Sequence, residues 1–122
     1  MKYLKLLILT LAPVLAQAHH SFAIYDSAHQ KTIEGTVKEF QWTNPHVWIH
    51  VMVKNDKGNE EEWSVECTSV NFLERRGWSK RTFKPGDKVS ITLSPLRDGS
   101  NGGSFRTVNS INGVVPKFDA EE

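Results

Sequence analysis

Hydrophobic and polar positions alternate most cleanly over Asn44 to Val53, NPHVWIHVMV, where Val47, Ile49, Val51 and Val53 share one face and His46, Trp48, His50 and Met52 the other. A period of two with four branched aliphatic residues in phase predicts a strand that turns this face to a core. Asn44-Pro45 is a turn signal directly before it, which places His46 at the mouth of the strand. The run Thr32 to Trp42 alternates in the same way through Ile33, Gly35 and Val37 before turning aromatic at Phe40 and Trp42; a glycine near its middle suits a strongly bent barrel strand. After a hairpin loop over Asn55 to Asn59, Glu61 to Cys67 alternates again, with Trp63, Val65 and Cys67 in the core phase.

Beyond Cys67 the period changes. Thr68-Ser69 reads as an N-cap for a short helix from Val70 to Arg76, and Gly77 supplies its stop. Lys84-Pro85-Gly86-Asp87 is a turn, Lys88 to Ser94 a strand with Val89, Ile91 and Leu93 inward, and Phe105 to Ile111 a last strand. The intervening Arg97 to Gly103 reads as a flexible hairpin connection. It lacks the Gly-Lys-Ser/Thr ending and the following helix that a phosphate loop needs.

Three strands, a short helix and two strands predict an all-β domain with one short helix, a five-stranded OB-fold-like barrel over residues 32–115. Such barrels bind on the face of strands 2 and 3, between the loop joining strands 1 and 2 and the loop joining strands 4 and 5. Here those loops are Thr43 to His46 and Arg97 to Gly103, with Trp48, His50, Glu62, Ser64 and Glu66 outward between them.

The N-terminus changes the picture of where the domain works. Lys2 and Lys5 precede an apolar run from Leu6 to Leu15, and Ala16-Gln17-Ala18 ends it, which is the pattern of a secretory signal peptide over residues 1–18. The run is too short and too abruptly ended for a membrane span. The expectation is an exported, periplasmic domain beginning at His19, with an extended segment over 19–31 and a flexible acidic tail over 116–122. Without Lys2 and Lys5, 13 Lys and Arg face 14 Asp and Glu, and a formal charge of −1 leaves no footprint for nucleic acid. Cys67 is the one cysteine, so no intramolecular disulfide can form, and it reads as a small core residue.

Several of these stretches recur together in a known pattern: His19 to Asp26 (HHSFA, then an aromatic and Asp), Asn44 to His46, Trp63 to Glu66, Arg76 to Trp78 and Pro85 to Asp87. As a set they make the chain resemble a family of small exported bacterial proteins of unknown function. The resemblance covers nearly all of the chain after residue 18, and it implies an exported domain with no assigned catalytic residue.

Two constellations carry candidate chemistry. The first is a metal site built from His19, His20, His46 and His50. After cleavage the amine and Nδ1 of His19 close one chelate ring, and a second imidazole completes a three-nitrogen brace suited to Cu(II). His46 is the preferred partner, because His20 points away from His19 in an extended chain. His46 and His50 stand about 13 Å apart along a strand and cannot share an ion, whereas His50 and Met52, about 7 Å apart, could. The second is a ligand-binding set, Asn44, Trp48, Glu66 and Arg97, able to stack on and hydrogen-bond an apolar or sugar-like ligand. The alternative partner for the same aromatic face is another envelope protein. Ser21, Ser64 and Cys67 lack a base and an orienting carboxylate at motif spacing, and Glu62 and Glu66, about 13 Å apart, are too far apart to share a proton. The leading expectation is a non-enzymatic binding module.

Overall fold

In the computed structural model, which describes residues 23–118, the alternation over the first run builds β1 (Lys31–Gln41), a strand shared between two neighbours. Its first half pairs with β4 (Lys88–Pro95) and its second half with β2 (Trp48–Lys54), with a register shift between Val37 and Glu39. Gly35 makes this change of partner sterically possible. A Cβ there would lie 2.2 Å from the Met52 carbonyl oxygen and 2.9 Å from Val51 Cγ1, inside contact distance for any side chain.

β3 (Glu60–Glu66) pairs with β2, and β5 (Gly102–Ile111) closes the barrel between β3 and β4, giving the order β1-β2-β3-β5-β4. The β3 to β5 pairing is parallel and short, from Ser64 opposite Gly102 to Glu66 opposite Ser104; the other four pairings are antiparallel. One helix, α1 (Val70–Arg75), joins β3 to β4. This is the five-stranded OB-fold barrel the strand count predicts, and it is closed.

The glycine-rich connection is the main departure from the pattern reading. Gly102 and Gly103 are buried strand residues, and the loop is confined to 96–101. A Cβ on Gly102 would lie 2.8 Å from the Ser64 carbonyl oxygen, and one on Gly103 2.4 Å from that of Ser94. The two glycines let β5 insert between β3 and β4. They serve close backbone approach rather than loop flexibility.

The aliphatic face of β2 forms the centre of the core, with Val47, Ile49 and Val51 fully buried against Ile33, Val37, Val65, Ile91, Leu93 and Phe105. Each such side chain stabilises the fold by about 1.5–3 kcal/mol relative to exposure. Leu73 of α1 closes one end together with Trp78 and Phe83, whose rings meet edge to face at 5.6 Å. Phe118 packs on Trp78 at 5.3 Å, so the packed body reaches residue 118. Ser69 caps α1 by accepting the Phe72 amide at 3.4 Å, and Gly77, at φ 89°, ends the helical run. None of the helices among the described residues is long and apolar enough to cross a membrane.

Candidate functional site

The β2 to β3 register sets Trp48 opposite Glu66, His50 opposite Ser64 and Met52 opposite Glu62, so the polar and aromatic positions share the outer face of these two strands. Glu66, the last residue of β3, is its focus. One carboxylate oxygen accepts the Tyr25 hydroxyl and the other meets His46 Nδ1, both at short hydrogen-bonding range. The side chain of Glu66 is 16% exposed and that of His46 36%, so the carboxylate is shielded while the imidazole reaches solvent. No hydrogen bond among the described residues engages His46 Nε2. Burial and the adjacent carboxylate push the Tyr25 phenol well above its ordinary pKa, which keeps the hydroxyl a donor to Glu66.

Tyr25 reaches this place because the segment before β1 is fastened to the loop after β4. The Asp26 amide donates to the Pro95 carbonyl at 2.8 Å, Tyr25 bridges Leu96, and the Arg97 amide donates to the Ile24 carbonyl at 2.9 Å. The Arg97 guanidinium adds a bond from Nε to the Ala23 carbonyl at 2.9 Å. The segment from Ala23 to Asp26 thus lies along the β4 to β5 loop, with the Tyr25 hydroxyl at Glu66.

The residues singled out in the sequence divide accordingly. His46, Glu66 and Trp48 gather at one end of the β2 to β3 face, whereas Arg97 is engaged with the Ala23 and Ile24 carbonyls of the segment that carries Tyr25. Asn44 is occupied locally: its Oδ1 accepts the Val70 amide at 3.1 Å, satisfying a free donor at the start of α1. His50 lies further along the face, its ring parallel to that of Trp48 at 6.3 Å. Its Nδ1 lies 3.1 Å from Ser64 Oγ and its Nε2 3.3 Å from Gln41 Oε1, so both nitrogens already have partners. Glu62 approaches the same Nδ1 at 3.8 Å, whereas a nucleophile, base and carboxylate chain needs the carboxylate on the other ring nitrogen. His19 and His20 lie outside the described residues. Among the described residues, no three His, Cys, Asp or Glu side chains converge as a metal site would require.

Tyr25 was the site residue that pattern reading passed over. Its signal was the aromatic position of the HHSFA start, but nothing local distinguishes a tyrosine that meets a carboxylate forty-one residues away. Two hollows lie elsewhere on the barrel. One, of about 410 Å³, opens over Gly35 between Met52, Lys88 and Ser110; the other, of about 720 Å³, lies between Lys31, Trp63 and Asn101. Lys31 Nζ sits 4.7 Å above the Trp63 ring beside the second hollow.

The chain belongs to the family described as "Family of unknown function (DUF6152)", which matches residues 7–106. No curated protein matches it. Among solved structures it is similar to the mitochondrial single-stranded DNA binding protein Rim1 from S. cerevisiae, at 8% identity and a TM-score of 0.51, over 68% of this chain and 92% of that one. At that identity the likeness establishes the shared barrel and nothing of the ligand.

Proposed function

We propose that this member of the DUF6152 family is an exported, non-enzymatic OB-fold module that holds Cu(II) at the end of its barrel, with His46 Nε2 as the ligand from the barrel and the amine and imidazole of His19 as the others. The observation that carries the reading is the Glu66 to His46 pair. A metal-binding imidazole characteristically turns its second nitrogen to a carboxylate, which fixes the tautomer and raises the basicity of the nitrogen left for the metal. Glu66 holds Nδ1 in this way, and no hydrogen bond among the described residues engages Nε2. Three nitrogen donors favour Cu(II) among available divalent ions.

The path of the N-terminal segment supports the same assignment. Ala23 is fixed by Arg97 and Tyr25 by Glu66. The five residues from His19 to Ala23 span up to roughly 14 Å when extended. The test is mass spectrometry of the product exported from the full chain, followed by Cu(II) titration with electron paramagnetic resonance. A mass beginning at His19 with one stoichiometric, nitrogen-rich type 2 signal supports the reading. A different start, or undiminished affinity after adding one residue ahead of His19, removes the brace.

A second reading rests on Trp48, half-buried on an otherwise polar face. On it, the same face docks on another envelope protein. Absence of stoichiometric copper together with a partner lost on Trp48→Ala substitution would favour it.

A further inference from the structure

The near-neutral total charge conceals a strongly uneven distribution. Five of the 13 Lys and Arg that follow residue 18 fall in the ten residues from Arg75 to Lys84, a stretch with no acidic residue. Arg75, Lys80, Arg81 and Lys84 are exposed, and the Arg76 guanidinium lies 4.6 Å over the ring of Phe72, itself 40% exposed. Four of the 14 acidic residues, Asp56 and Glu60 to Glu62, lie along the β2 to β3 hairpin, and Glu74 stands just ahead of the basic stretch.

The chain is built to present these cations outward. Trp78 and Phe83 anchor both ends of the stretch in the core. Between them Ser79 to Thr82 forms a self-bonded turn, with the Ser79 amide donating to Thr82 Oγ1 at 2.8 Å, the Arg81 amide to Ser79 Oγ at 3.1 Å and the Thr82 amide to the Ser79 carbonyl at 3.0 Å. Lys80 and Arg81 stand at its tip. Among the described residues none of Arg75, Lys80, Arg81 and Lys84 forms an ion pair.

We propose that the turn from Arg75 to Lys84, with Phe72 beside it, docks the domain on an anionic lipid surface. The shape selects this partner over a nucleic acid strand. Strand binding needs a groove in which aromatic faces alternate with cations, whereas here Trp78 and Phe83 face the core and the one exposed ring is already covered by Arg76. A projecting tip of cations beside a ring fits a flat charged surface, where each Lys or Arg strengthens partitioning by about fivefold. The inference is independent of the copper reading, because it uses none of the same residues.

The test is sedimentation of the exported product with vesicles of phosphatidylcholine alone and of phosphatidylcholine with about one-third phosphatidylglycerol, in low and high salt. Binding to the anionic vesicles alone, lost in high salt and weakened at least about 25-fold by the double substitution Lys80→Glu, Arg81→Glu, is the expected result. Both positions are exposed, and an unchanged circular dichroism spectrum confirms that the variant folds. Equal binding to neutral vesicles, equal binding by the double variant, or no binding to the anionic vesicles overturns the proposal. So does binding of a single-stranded oligonucleotide that the double substitution abolishes while vesicles are ignored.

Discussion

The hydroxyl of Tyr25 and the carboxylate of Glu66, forty-one residues apart in the chain, are joined by a hydrogen bond at the end of the barrel. This bond ties the segment that precedes β1 to the last residue of β3, and the second oxygen of the same carboxylate orients His46. Fold and candidate site therefore share one group. Loss of the Glu66 charge should be felt in both.

Glu66→Gln keeps the size of the side chain but weakens two charge-assisted bonds, each worth about 1.5–3 kcal/mol when shielded. The expected outcome is a loss of about 1–3 kcal/mol in urea denaturation together with weaker Cu(II) binding. Tyr25→Phe should reproduce part of the stability loss and leave a measurable copper site, since His46 keeps its carboxylate. Equal copper affinity in wild type and Glu66→Gln would show that Glu66 does not tune His46.

Alkaline pH should destabilise the protein through Tyr25. Its phenol is raised in the folded state above the ordinary value of 10.0, so the folded chain holds the proton longer than the unfolded chain does. The contribution is complete below the unfolded pKa and is lost as pH rises past it toward the folded value. Urea midpoints measured near pH 8 and near pH 11 should fall more steeply for wild type than for Tyr25→Phe. Parallel declines would remove Tyr25 as the cause.

Gly35→Ala and Gly103→Ala each force a methyl group against backbone, at 2.2 Å from the Met52 oxygen and 2.4 Å from the Ser94 oxygen. Overpacking of this kind costs about 1–3 kcal/mol or more, and both variants should unfold at lower urea. Gly58→Ala is the control. It meets nothing within 4 Å, and its positive φ of 79° alone costs about 1–2 kcal/mol. If Gly103→Ala is no worse than the control, the close approach of β5 does not constrain the barrel.

Those glycines also show where sequence pattern runs out. Alternation located the β2 face because Val47, Ile49 and Val51 obey a local period, and the cap at Ser69 and the stop at Gly77 carry their own local chemistry. Gly102 and Gly103 have the composition of a loop, and only the arrival of β3 and β4 on either side makes them strand residues. The site divides in the same way. His46 and Trp48 were legible as the outward phase of one strand, whereas Tyr25 joins them through pairing with Leu96, a contact between distant segments. Asn44 looked available for a ligand until the position of α1 supplied the Val70 amide.

Trp48 should report on its face directly. Trp63 and Trp78 are buried, while Trp48 is half-buried and Trp42 is partly buried against the core, so Trp48→Phe should shift the emission of the folded protein to shorter wavelength and reduce quenching by acrylamide, with Trp42 supplying the remaining accessible emission. An unchanged spectrum and unchanged quenching would mean that the Trp48 ring is shielded from solvent and would withdraw the docking reading of this face.

The most direct measurement is Cu(II) affinity of the protein produced from the full chain with His46→Ala beside His50→Ala. Glu66 holds His46 Nδ1 and no hydrogen bond among the described residues engages its Nε2, while both nitrogens of His50 are engaged by Ser64 and Gln41. With His46 as the barrel's copper ligand, His46→Ala should lower affinity by at least about a hundredfold and alter the nitrogen hyperfine pattern, with His50→Ala close to wild type. Wild-type affinity in His46→Ala would contradict that assignment.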